Sequence, residues 1–436
     1  MRFAIKQVGC GSERIGTLTG FVKSPGTVIE TPTAALITQG GSVTHMTAEV
    51  LSKVFTTPQL LWVPLSNSYQ LEAGVKAQGQ GLAKFVGLPD HFTCVTPHNA
   101  SEITPLGHFE IGKVPLWTKN GKKMITAERY MDLMEVYKPD IILAIADGRT
   151  SLGEGYKRIQ KAVDRTCNLL DKCVFRYKGS KQHRYSALVG VIVAAGEPKK
   201  CEECIKHILK HNDSLSGIAL TGLLDGTEES FKLANDNAEE IFKRVSEALP
   251  KDLLRIIEGC WNPSIILSAI EHGYDVFDGS YPLKLSNAGQ ALTLNFDIPQ
   301  YSNEHCILEL GDEKYKEDFR PVLEGCECLT CKKHTRAYIC HLLNTREMLS
   351  SVLLSIHNLH HFDQFFRHAR HHIAVNTFQL YKKHITAQYE VYKSSITTNS
   401  TSIEEKEPAK NKKLKVCEVP KVSVDIPNCK VANGVY

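Results

Sequence analysis

Three cysteines lie close together in the pattern Cys-x-Cys-x-x-Cys. They are Cys326, Cys328 and Cys331, and several histidines follow them in the chain. Three thiolates and one imidazole form the tetrahedral ligand set of a structural zinc site, which leaves no coordination position open for a reacting water molecule. The pattern therefore predicts one bound Zn²⁺ with a structural role, and it places any catalytic chemistry elsewhere in the chain.

The spacing alone does not decide which histidine completes this ligand set. His334 and His341 follow the cysteines closely, whereas His357, His360 and His361 belong to a predicted helix that can pack back onto the cysteine loop. The spacing favours a histidine of the helix. Within the helix, spacing leaves the choice open.

The same helix is predicted to run from about Thr345 to Tyr392, and it carries six histidines at spacings that place most of them on one face. We interpret this face as solvated and polar, with one member recruited as a metal ligand. The alternative is an RNA-facing surface that gains positive charge when its histidines are protonated. The six residues are His357, His360, His361, His368, His371 and His372.

The chain contains 14 cysteines, which raises the question of its redox compartment. Residues Met1–Gly20 contain no apolar segment of the kind found in secretory signals, so we predict a reducing, cytosolic compartment in which cysteines are thiols or metal ligands. Cys201 and Cys204 form a Cys-x-x-Cys pair that has no matching second pair. We interpret them as thiols at the start of a helix, neither zinc-binding nor redox-active.

Composition sets the broad class of the protein. Of 436 residues, 42% are hydrophobic and 23% are charged, which is enough to bury a large core and excludes a wholly disordered chain. The formal net charge of +4 indicates no general polyelectrolyte character, although local basic patches could still face an RNA. The longest apolar runs, such as Ala187–Ala195, are about half as long as a membrane-spanning helix, so no transmembrane segment is predicted.

The elements that must position any site alternate between short apolar runs and longer helical stretches, as in parallel sheets with crossover helices. Several of the short runs are continuously apolar, which is typical of strands covered on both faces. Eight such units predict an α/β fold, a (β/α)8 barrel of the TIM type. The predicted strands are Ala34–Thr38, Gln59–Val63, Phe92–Thr96, Ile141–Ala146, Leu188–Val193, Gly217–Leu220, Leu254–Ile257 and Asp275–Phe277.

This pattern divides the chain into four parts. Residues 1–33 are expected to form an N-terminal β cap, and residues 34–300 the barrel. Residues 301–392 are expected to form a zinc-binding subdomain that ends in the long helix, introduced by short strands near Ala291–Asn295 and Cys306–Leu310. Residues 393–436 are rich in polar and charged residues with few aromatics, and we predict a disordered tail.

In a (β/α)8 barrel, functional side chains follow the carboxyl ends of the strands. Asp147 follows the fourth predicted strand and Asp278 follows the eighth. Either carboxylate could act as a base or nucleophile, although aspartate is also common in structural loops. The loop Thr221–Gly226 is rich in small residues, so it could approach a planar ligand closely or form a simple turn.

As far as about residue 392, the sequence resembles the tRNA-guanine transglycosylase family, and within it the eukaryotic non-catalytic subunits. The separation of Cys331 from His357 matches that family, as does the local sequence Ile356-His-Asn-Leu-His, and this match selects His357 as the fourth zinc ligand. The other matching segments are Gly16-Thr-Leu-Thr, Ile29-Glu-Thr-Pro-Thr, Thr38-Gln-Gly-Gly, Met46-Thr-Ala-Glu, Phe277-Asp278 and Gly289-Gln-Ala.

The resemblance implies a role in exchanging guanine for the deazaguanine base queuine at the wobble position of tRNAs with GUN anticodons. In the family an aspartate attacks the ribose and forms a covalent intermediate, and Asp278 stands at that position. Asp147 matches the aspartate that binds the base.

Other parts of the family's active-site pattern are missing from this chain. The family's general acid/base aspartate after the third strand is replaced within Cys94-Val-Thr-Pro-His-Asn-Ala, and the next carboxylate is that of Glu102. The base-recognising glutamine is replaced within Val191-Ile-Val-Ala-Ala-Gly. The arginines that hold the anticodon loop are replaced by Tyr281-Pro-Leu-Lys-Leu-Ser. Since general acid/base catalysis alone contributes roughly 10²–10⁴ in rate, Asp278 is expected to be vestigial.

The resemblance therefore favours a non-catalytic subunit with no catalytic residues of its own. It implies a heterodimer with a catalytic transglycosylase, binding of tRNA, and self-association as a homodimer when the partner is missing. It also implies a cytoplasmic location with peripheral association at the mitochondrial outer membrane. One alternative is an active transglycosylase that uses Asp278 as nucleophile. Another is a zinc hydrolase, which the closed ligand set disfavours.

Overall fold

The computed structural model describes residues 1–103, 110, 112–181, 185–298 and 306–404, with side chains as far as residue 395. Its contacts divide the chain into two units, Met1–Tyr392 and Lys393–Tyr436. The N-terminal sheet, the barrel and the cysteine cluster all belong to the first unit.

The strands in the described residues are β1 (Arg2–Val8), β2 (Arg14–Thr19), β3 (Ile29–Thr31), β4 (Thr33–Gln39), β5 (Ser42–Val43), β6 (Leu60–Pro64), β7 (Phe92–Thr96), β8 (Lys113–Thr118), β9 (Gly121–Thr126), β10 (Ile141–Leu143), β11 (Ala187–Ile192), β12 (Gly217–Leu220), β13 (Leu254–Ile257), β14 (Val276–Gly279), β15 (Gln290–Leu292) and β16 (Ile307–Glu309).

The helices in the same residues are α1 (Ala48–Val54), α2 (Leu65–Ser68), α3 (Glu72–Gln78), α4 (Leu82–Phe85), α5 (Ala127–Tyr137), α6 (Tyr156–Gly179), α7 (Pro198–Leu209), α8 (Glu228–Glu247), α9 (Pro263–Glu271), α10 (Ser280–Asn287), α11 (Leu329–Lys333), α12 (Arg336–Asn344), α13 (Met348–Ala374) and α14 (Phe378–Glu404).

The centre of the fold is a closed parallel barrel with the strand order β4, β6, β7, β10, β11, β12, β13, β14. Strand β14 pairs with β4 and closes the barrel, with Val276 beside Thr33. Every residue of β6, β7 and β11 is buried, which explains why β6 and β11 have continuously apolar sequences. All eight predicted strands are present, and the predicted (β/α)8 barrel is confirmed.

The fourth barrel strand is shorter than its apolar run predicts. Strand β10 ends at Leu143, although the prediction extended it to Ala146. The backbone N–H of Ala144 still donates to the carbonyl of Val189 at 2.9 Å, and the chain then leaves the ladder. The remaining apolar residues carry the backbone to Asp147 at the mouth of the barrel.

The outer helices begin and end at residues whose chemistry favours those positions. Thr126 caps α5 by accepting a hydrogen bond from the N–H of Arg129 at 3.2 Å. The helix ends at Lys138, which has φ of 49° and is followed by Pro139, a residue that does not continue a helix. Thr227 caps α8 in the same way, by accepting a hydrogen bond from the N–H of Ser230 at 3.2 Å.

The N-terminal sheet is fastened to the barrel by a buried ion pair. Strands β1, β2 and β3 form an antiparallel sheet, as predicted for the cap. Arg14 of β2 donates to Asp275, which precedes the last barrel strand, with Nε–Oδ1 and Nη2–Oδ2 distances of 2.9 and 2.6 Å. Arg14 also donates to the carbonyl of Leu253 at 2.7 Å, while Arg255 hydrogen-bonds Asp275 through its backbone N–H. The cap and two barrel strands therefore share one charged contact.

Beyond the barrel, an antiparallel pair of strands introduces the subdomain. Gln290 of β15 pairs with Glu309 of β16, so this small sheet begins before residue 300. Strand β16 lies within the segment predicted for it, whereas β15 begins one residue before its predicted segment and ends at Leu292. A second apolar core forms beneath them and beneath α12 and the start of α13. Its buried members are Ala291, Leu308, Leu310, Tyr315, Val322, Ile339, Cys340, Leu342, Leu353 and Leu354.

The single long helix predicted over Thr345–Tyr392 is wrong, because the structure has two helices there. Helix α13 ends at Ala374 and α14 begins at Phe378. Between them, Asn376 has φ of 57°, in the left-handed region that asparagine tolerates better than most residues. Thr377 then closes the turn, because its backbone N–H donates to the carbonyl of His372 at 2.8 Å.

The last helix extends into the segment that was predicted to be a disordered tail. Helix α14 runs to Glu404, beyond the predicted start of a disordered tail at residue 393, and residues 405–436 lie outside the described residues. In the part of the chain that the structure describes, no helix combines the length and the apolar character needed to cross a bilayer.

Candidate functional site

The three cysteines are presented by a loop and by the short helix that follows it. Cys326 lies in the loop, Cys328 is the N-cap of α11, and Cys331 lies within α11. The Cys328 sulfur accepts a hydrogen bond from the backbone N–H of Cys331 at 3.3 Å, so the cap itself brings the sulfurs together. Thr330 anchors α11 to the long helix α13 by donating to the carbonyl of Leu353 at 2.7 Å.

His357, on α13, completes this cluster. Its Nδ1 lies 3.9, 3.6 and 3.3 Å from the sulfurs of Cys326, Cys328 and Cys331, and all four potential ligand atoms lie within 4.8 Å of one another. Zinc–sulfur and zinc–nitrogen bonds of usual length in a tetrahedral site require separations of ~3.5 Å. The four residues could therefore hold a metal ion, and zinc is compatible with this donor set.

The other ring nitrogen of His357 is also held. Nε2 donates to the carbonyl oxygen of Leu292 at 2.8 Å, so Nδ1 is the ring nitrogen that faces the sulfurs and could bind a metal ion. The neighbouring residue Asn358 accepts from the N–H of Leu292 at 2.8 Å and donates to the carbonyl of Gln290 at 2.9 Å and to Ser286 at 3.0 Å. Two adjacent side chains of α13 thus hold strand β15.

The electrostatics of the cluster favour bound positive charge. Burial alone would lower the pKa of His357, but its contacts with Cys326 and Cys328 outweigh burial and raise the pKa to about 9. Hydrogen bonds from Cys328 and Cys331 lower the pKa of Cys326. The same sulfur–sulfur contacts raise the pKa of Cys331, so the negative charge of the cluster is centred on Cys326, next to His357. A divalent cation would neutralise that charge.

The remaining candidate histidines do not join the cluster. His334 stacks on Tyr338 with ring centroids 5.4 Å apart, and His341 is exposed on α12. His361 is buried beside His357, with ring centroids 5.7 Å apart, and burial lowers its pKa to about 3. Packing of α13 against β15 is what selects His357, which the local sequence match had also indicated.

The predicted histidine face of the long helix is wrong as a solvated surface. His357 and His361 are buried, His360, His368 and His372 are half-buried, and of the six histidines only His371 is exposed. Burial lowers the pKa of His361, His368 and His372, so protonation of these residues is disfavoured. The RNA-facing alternative fails for the same residues, because α13 is packed between the barrel and the cysteine cluster.

A cavity of about 400 Å³ opens at the carboxyl ends of the barrel strands, where a (β/α)8 barrel carries its functional residues. Loops that follow β7, β10, β12 and β13 and the strand β8 form its wall. Much of the wall is apolar, with a few polar groups at its base. The lining residues include His98, Asn99, Glu102, Val114, Trp117, Asp147, Arg149, Leu224, Asp225 and Glu258.

Asp147 lies at this mouth, as predicted, but its carboxylate is already engaged. Arg158 donates to its two oxygens at 2.6 and 3.0 Å, and Arg165 donates at 2.7 Å. Both arginines belong to α6, and the Asp147 side chain is fully buried. This aspartate therefore holds α6 against the barrel, and a base at the mouth would compete with two guanidinium groups for it.

Asp278 is buried at the end of β14 and does not line the cavity. Its carboxylate accepts hydrogen bonds from the backbone N–H groups of Ser280 at 3.0 Å and Gly259 at 3.3 Å. Burial raises its pKa to about 6 despite these bonds. The side chain is thus held in place by two backbone N–H groups.

Glu258 is a site residue that the sequence did not suggest. It follows β13 directly, lies at the base of the cavity, and accepts a hydrogen bond from the Thr96 hydroxyl at 2.5 Å. Burial is the main cause that raises its pKa to about 8, and the nearby Asp278 adds to the effect. The signal that could have found it is its position, since it is the first residue after a barrel strand.

The raised pKa of Glu258 predicts a pH dependence of stability. The folded protein holds this proton up to about pH 8, whereas the unfolded chain releases it near the ordinary glutamate pKa of 4.5. The stabilisation is therefore complete below pH 4.5 and is lost as the pH rises towards 8. We expect the free energy of unfolding to fall by about 1 kcal/mol per pH unit across this range.

Urea denaturation between pH 5.5 and 7.5 measures this slope. The Glu258→Gln variant keeps the acceptor for Thr96 but has no ionisable group, so its slope should be shallower. Equal slopes for the native chain and the variant would contradict the assignment of the titration to Glu258.

The second cysteine pair lies where it was predicted, at the start of a helix. Cys201 and Cys204 lie in the first turns of α7 and are buried as free thiols. Burial raises the pKa of Cys201 to about 11. A hydrogen bond from Cys204 is the main cause that lowers the pKa of Cys167, on α6.

Together, a closed (β/α)8 barrel and a Cys₃His cluster on a subdomain after the last strand define the class of the tRNA-guanine transglycosylases. The family model described as queuine tRNA-ribosyltransferase matches residues 10–391. The chain therefore belongs to the queuine tRNA-ribosyltransferase family.

The chain is also similar to proteins named queuine tRNA-ribosyltransferase accessory subunit 2. It is 33% identical to that of Anopheles gambiae, over 89% of this chain and 90% of the relative. It is 32% identical to that of Aedes aegypti, over 95% of this chain and all of the relative. For Drosophila sechellia the identity is 35%, over 86% and 90% of the two chains.

Proposed function

We propose that this chain is a non-catalytic subunit of a heterodimeric queuine tRNA-ribosyltransferase. In this role it pairs with a catalytic transglycosylase and helps to bind tRNA, while the partner exchanges guanine for queuine at the wobble position of tRNAs with GUN anticodons. The accessory-subunit names of its relatives support the proposal. The observation that carries it is the state of the barrel mouth, where the groups needed for catalysis are engaged or missing.

Three features of the mouth argue against catalysis by this chain. Asp278 is buried and held by two backbone N–H groups. Glu258 stays protonated near neutral pH and hydrogen-bonds Thr96, at the end of the strand after which the family carries its general acid/base aspartate. Asp147 is neutralised by Arg158 and Arg165. A nucleophile, a proton carrier and a base-binding carboxylate are therefore not available together.

For the cysteine cluster we propose one structural Zn²⁺ per chain, bound by Cys326, Cys328, Cys331 and His357. Four protein ligands leave no open position, so the ion would supply structural stability and no activated water. Its ligands come from the cysteine loop, α11 and α13, and His357 also binds β15. The ion would thereby fix the subdomain surface that we propose for pairing with the catalytic subunit.

For the location, we propose the cytoplasm, with peripheral association at the mitochondrial outer membrane through the heterodimer. The support is the family resemblance.

A reconstituted pair tests the non-catalytic role. We expect the Asp278→Asn variant of this chain, mixed with a catalytic transglycosylase, to exchange labelled base into tRNA at the rate of the native pair. The substitution preserves the size and an acceptor oxygen of a side chain that already accepts two backbone hydrogen bonds. If this chain supplied the nucleophile, the rate would fall by roughly 10²-fold or more.

Two controls make the result decisive. The matched variant of the nucleophilic aspartate in the catalytic partner should abolish exchange, and native mass should show that both pairs assemble. The native chain alone, given tRNA and labelled guanine, should incorporate no label. Incorporation by the isolated chain would favour the alternative, an active transglycosylase that uses Asp278.

A further inference from the structure

Outside the barrel mouth and the cysteine cluster, a group of two histidines and one carboxylate lies on the outer face of the helical layer. Asp171 belongs to α6, His207 to the last turn of α7, and His211 to the turn that follows α7. Nε2 of His207 lies 2.8 Å from Oδ1 of Asp171, and Nε2 of His211 lies 2.6 Å from the same oxygen. The three potential ligand atoms lie within 4.8 Å of one another.

We infer that Asp171, His207 and His211 form a second site for a divalent transition-metal ion, with Zn²⁺ as the ion that fits its donors. Two imidazole nitrogens and one carboxylate oxygen are the ligands of zinc sites that keep one coordination position open. The site would join α6 to α7 and would hold a water molecule or an external donor at the fourth position.

The backbone holds the two histidines in place for this role. His207 and His211 are four residues apart, which is one helical turn, so their rings point to the same side. The N–H of His211 donates to the carbonyl of Ile208 at 2.9 Å, and Ser214 donates back to His211 at 2.8 Å, which continues the turn past the end of α7. The ring centroids are 5.8 Å apart with 61° between the planes, so the rings approach the carboxylate from different directions.

The distances allow an ion to enter with small movements. Usual zinc–nitrogen and zinc–oxygen bond lengths require ligand atoms ~3.3 Å apart in a tetrahedral site. The present 2.6 and 2.8 Å are hydrogen-bond distances, so each side chain must move by less than about 1 Å. The histidine side chains are 23% and 22% exposed and that of Asp171 is 47% exposed, which permits both this movement and access for the ion.

Binding of an ion would replace the two hydrogen bonds to Asp171 by metal–ligand bonds, and the histidines would keep their protons. Both histidines now donate from Nε2 to the same oxygen, and an ion at the centre would accept both Nε2 lone pairs while the ring protons move to Nδ1. Burial acts to raise the pKa of Asp171, but the hydrogen bonds from His207 and His211 outweigh it and lower the pKa. The carboxylate is therefore already in the anionic form that a metal ion requires.

A second group of similar composition serves as an internal control. Glu239, Glu271 and His272 also bring three potential ligand atoms together, but Lys382 occupies the space between the two carboxylates. Its ammonium lies 2.5 Å from Glu271 and 3.4 Å from Glu239. The positive charge that an ion would supply is already present there, so this group is expected to bind no metal.

Zinc titration of the full chain tests the site, with bound metal counted after equilibrium dialysis. We expect the native chain to bind one equivalent more than the His207→Gln and Asp171→Asn variants, whose affinity for that equivalent should fall at least tenfold. This difference in bound zinc between the native chain and the variants does not depend on whether the cysteine cluster binds an ion, because all of these proteins contain the same cluster. His272→Gln, in the control group, should leave both equivalents unchanged.

Two results would overturn the assignment. One is a native chain that binds no equivalent beyond that of the variants, and the other is a His272→Gln variant that loses the second equivalent. Circular dichroism of each variant shows whether it is folded. Should one variant of the site be misfolded, His211→Asn removes a different ligand, which contacts the same oxygen of Asp171, and gives the same test.

Discussion

Replacing Cys328 with alanine is expected to remove the metal from the cysteine cluster and to unfold the subdomain around it. Cys328 is buried, caps α11 and faces Nδ1 of His357 at 3.6 Å. Structural zinc sites contribute apparent binding free energies of roughly 10–16 kcal/mol in small domains, and much of this is folding free energy. We expect zinc content to fall by one equivalent, proteolysis to begin between β16 and α13, and pairing with the catalytic subunit to be lost.

Cys340 provides the matched control for this experiment. It is also a buried cysteine of the subdomain, but it lies in the second apolar core and donates to the carbonyl of Asp312 at 3.5 Å. Cys340→Ala should cost roughly 1–2 kcal/mol and leave zinc content and pairing intact. If both variants kept the metal and the partner, Cys328 would not be a ligand.

Replacing Arg14 with methionine is expected to destabilise the protein by roughly 3–5 kcal/mol. The substitution preserves most of the side-chain volume but leaves the carboxylate of Asp275, which has no solvent-exposed surface, without its cation. It also removes the donors to the carbonyls of Lys251 and Leu253. The midpoint of urea denaturation measures the loss, which should appear at neutral pH.

The same sheet offers an exposed ion pair for comparison. Lys6 lies 3.7 Å from Glu30, and both side chains are more than half exposed. Surface pairs of this kind contribute about 0–1 kcal/mol, so Lys6→Met should leave the midpoint nearly unchanged. A similar shift of the urea midpoint for both variants would show that the cost of Arg14→Met does not come from leaving the buried Asp275 carboxylate without its cation.

The barrel could be predicted from sequence because its signals are local. Strands such as β6 and β11 are covered on both faces and therefore have continuously apolar sequences. Helices such as α5 begin after residues such as Thr126, whose side chain accepts a hydrogen bond from a backbone N–H of the first turn. The cysteine cluster was equally visible, because three of its four residues are close in sequence.

What could not be predicted depends on contacts between distant segments. Spacing alone could not choose His357 from its neighbours, because the choice rests on the carbonyl of Leu292 in β15. The sequence also could not show that the Asp147 carboxylate is engaged, because its partners Arg158 and Arg165 lie on α6 and form ion pairs with it only in the folded protein.

The burial of Glu258 has the same kind of origin, since it follows from the closure of the barrel. The break between α13 and α14 was missed for a different reason. The signal, Asn376 followed by Thr377, is present in the sequence but weak against a long helical pattern.

The contacts made by the adjacent side chains His357 and Asn358 limit where genetic recombination between relatives can join two chains. They bind the backbone of β15 and the hydroxyl of Ser286 in α10, residues that follow the last barrel strand and come before the cysteines. A genetic exchange between relatives that broke the chain near residue 300 would join one protein's β15 to another protein's α13. Exchanges that preserve function should therefore carry residues 286–292 together with the long helix, as a single heritable segment.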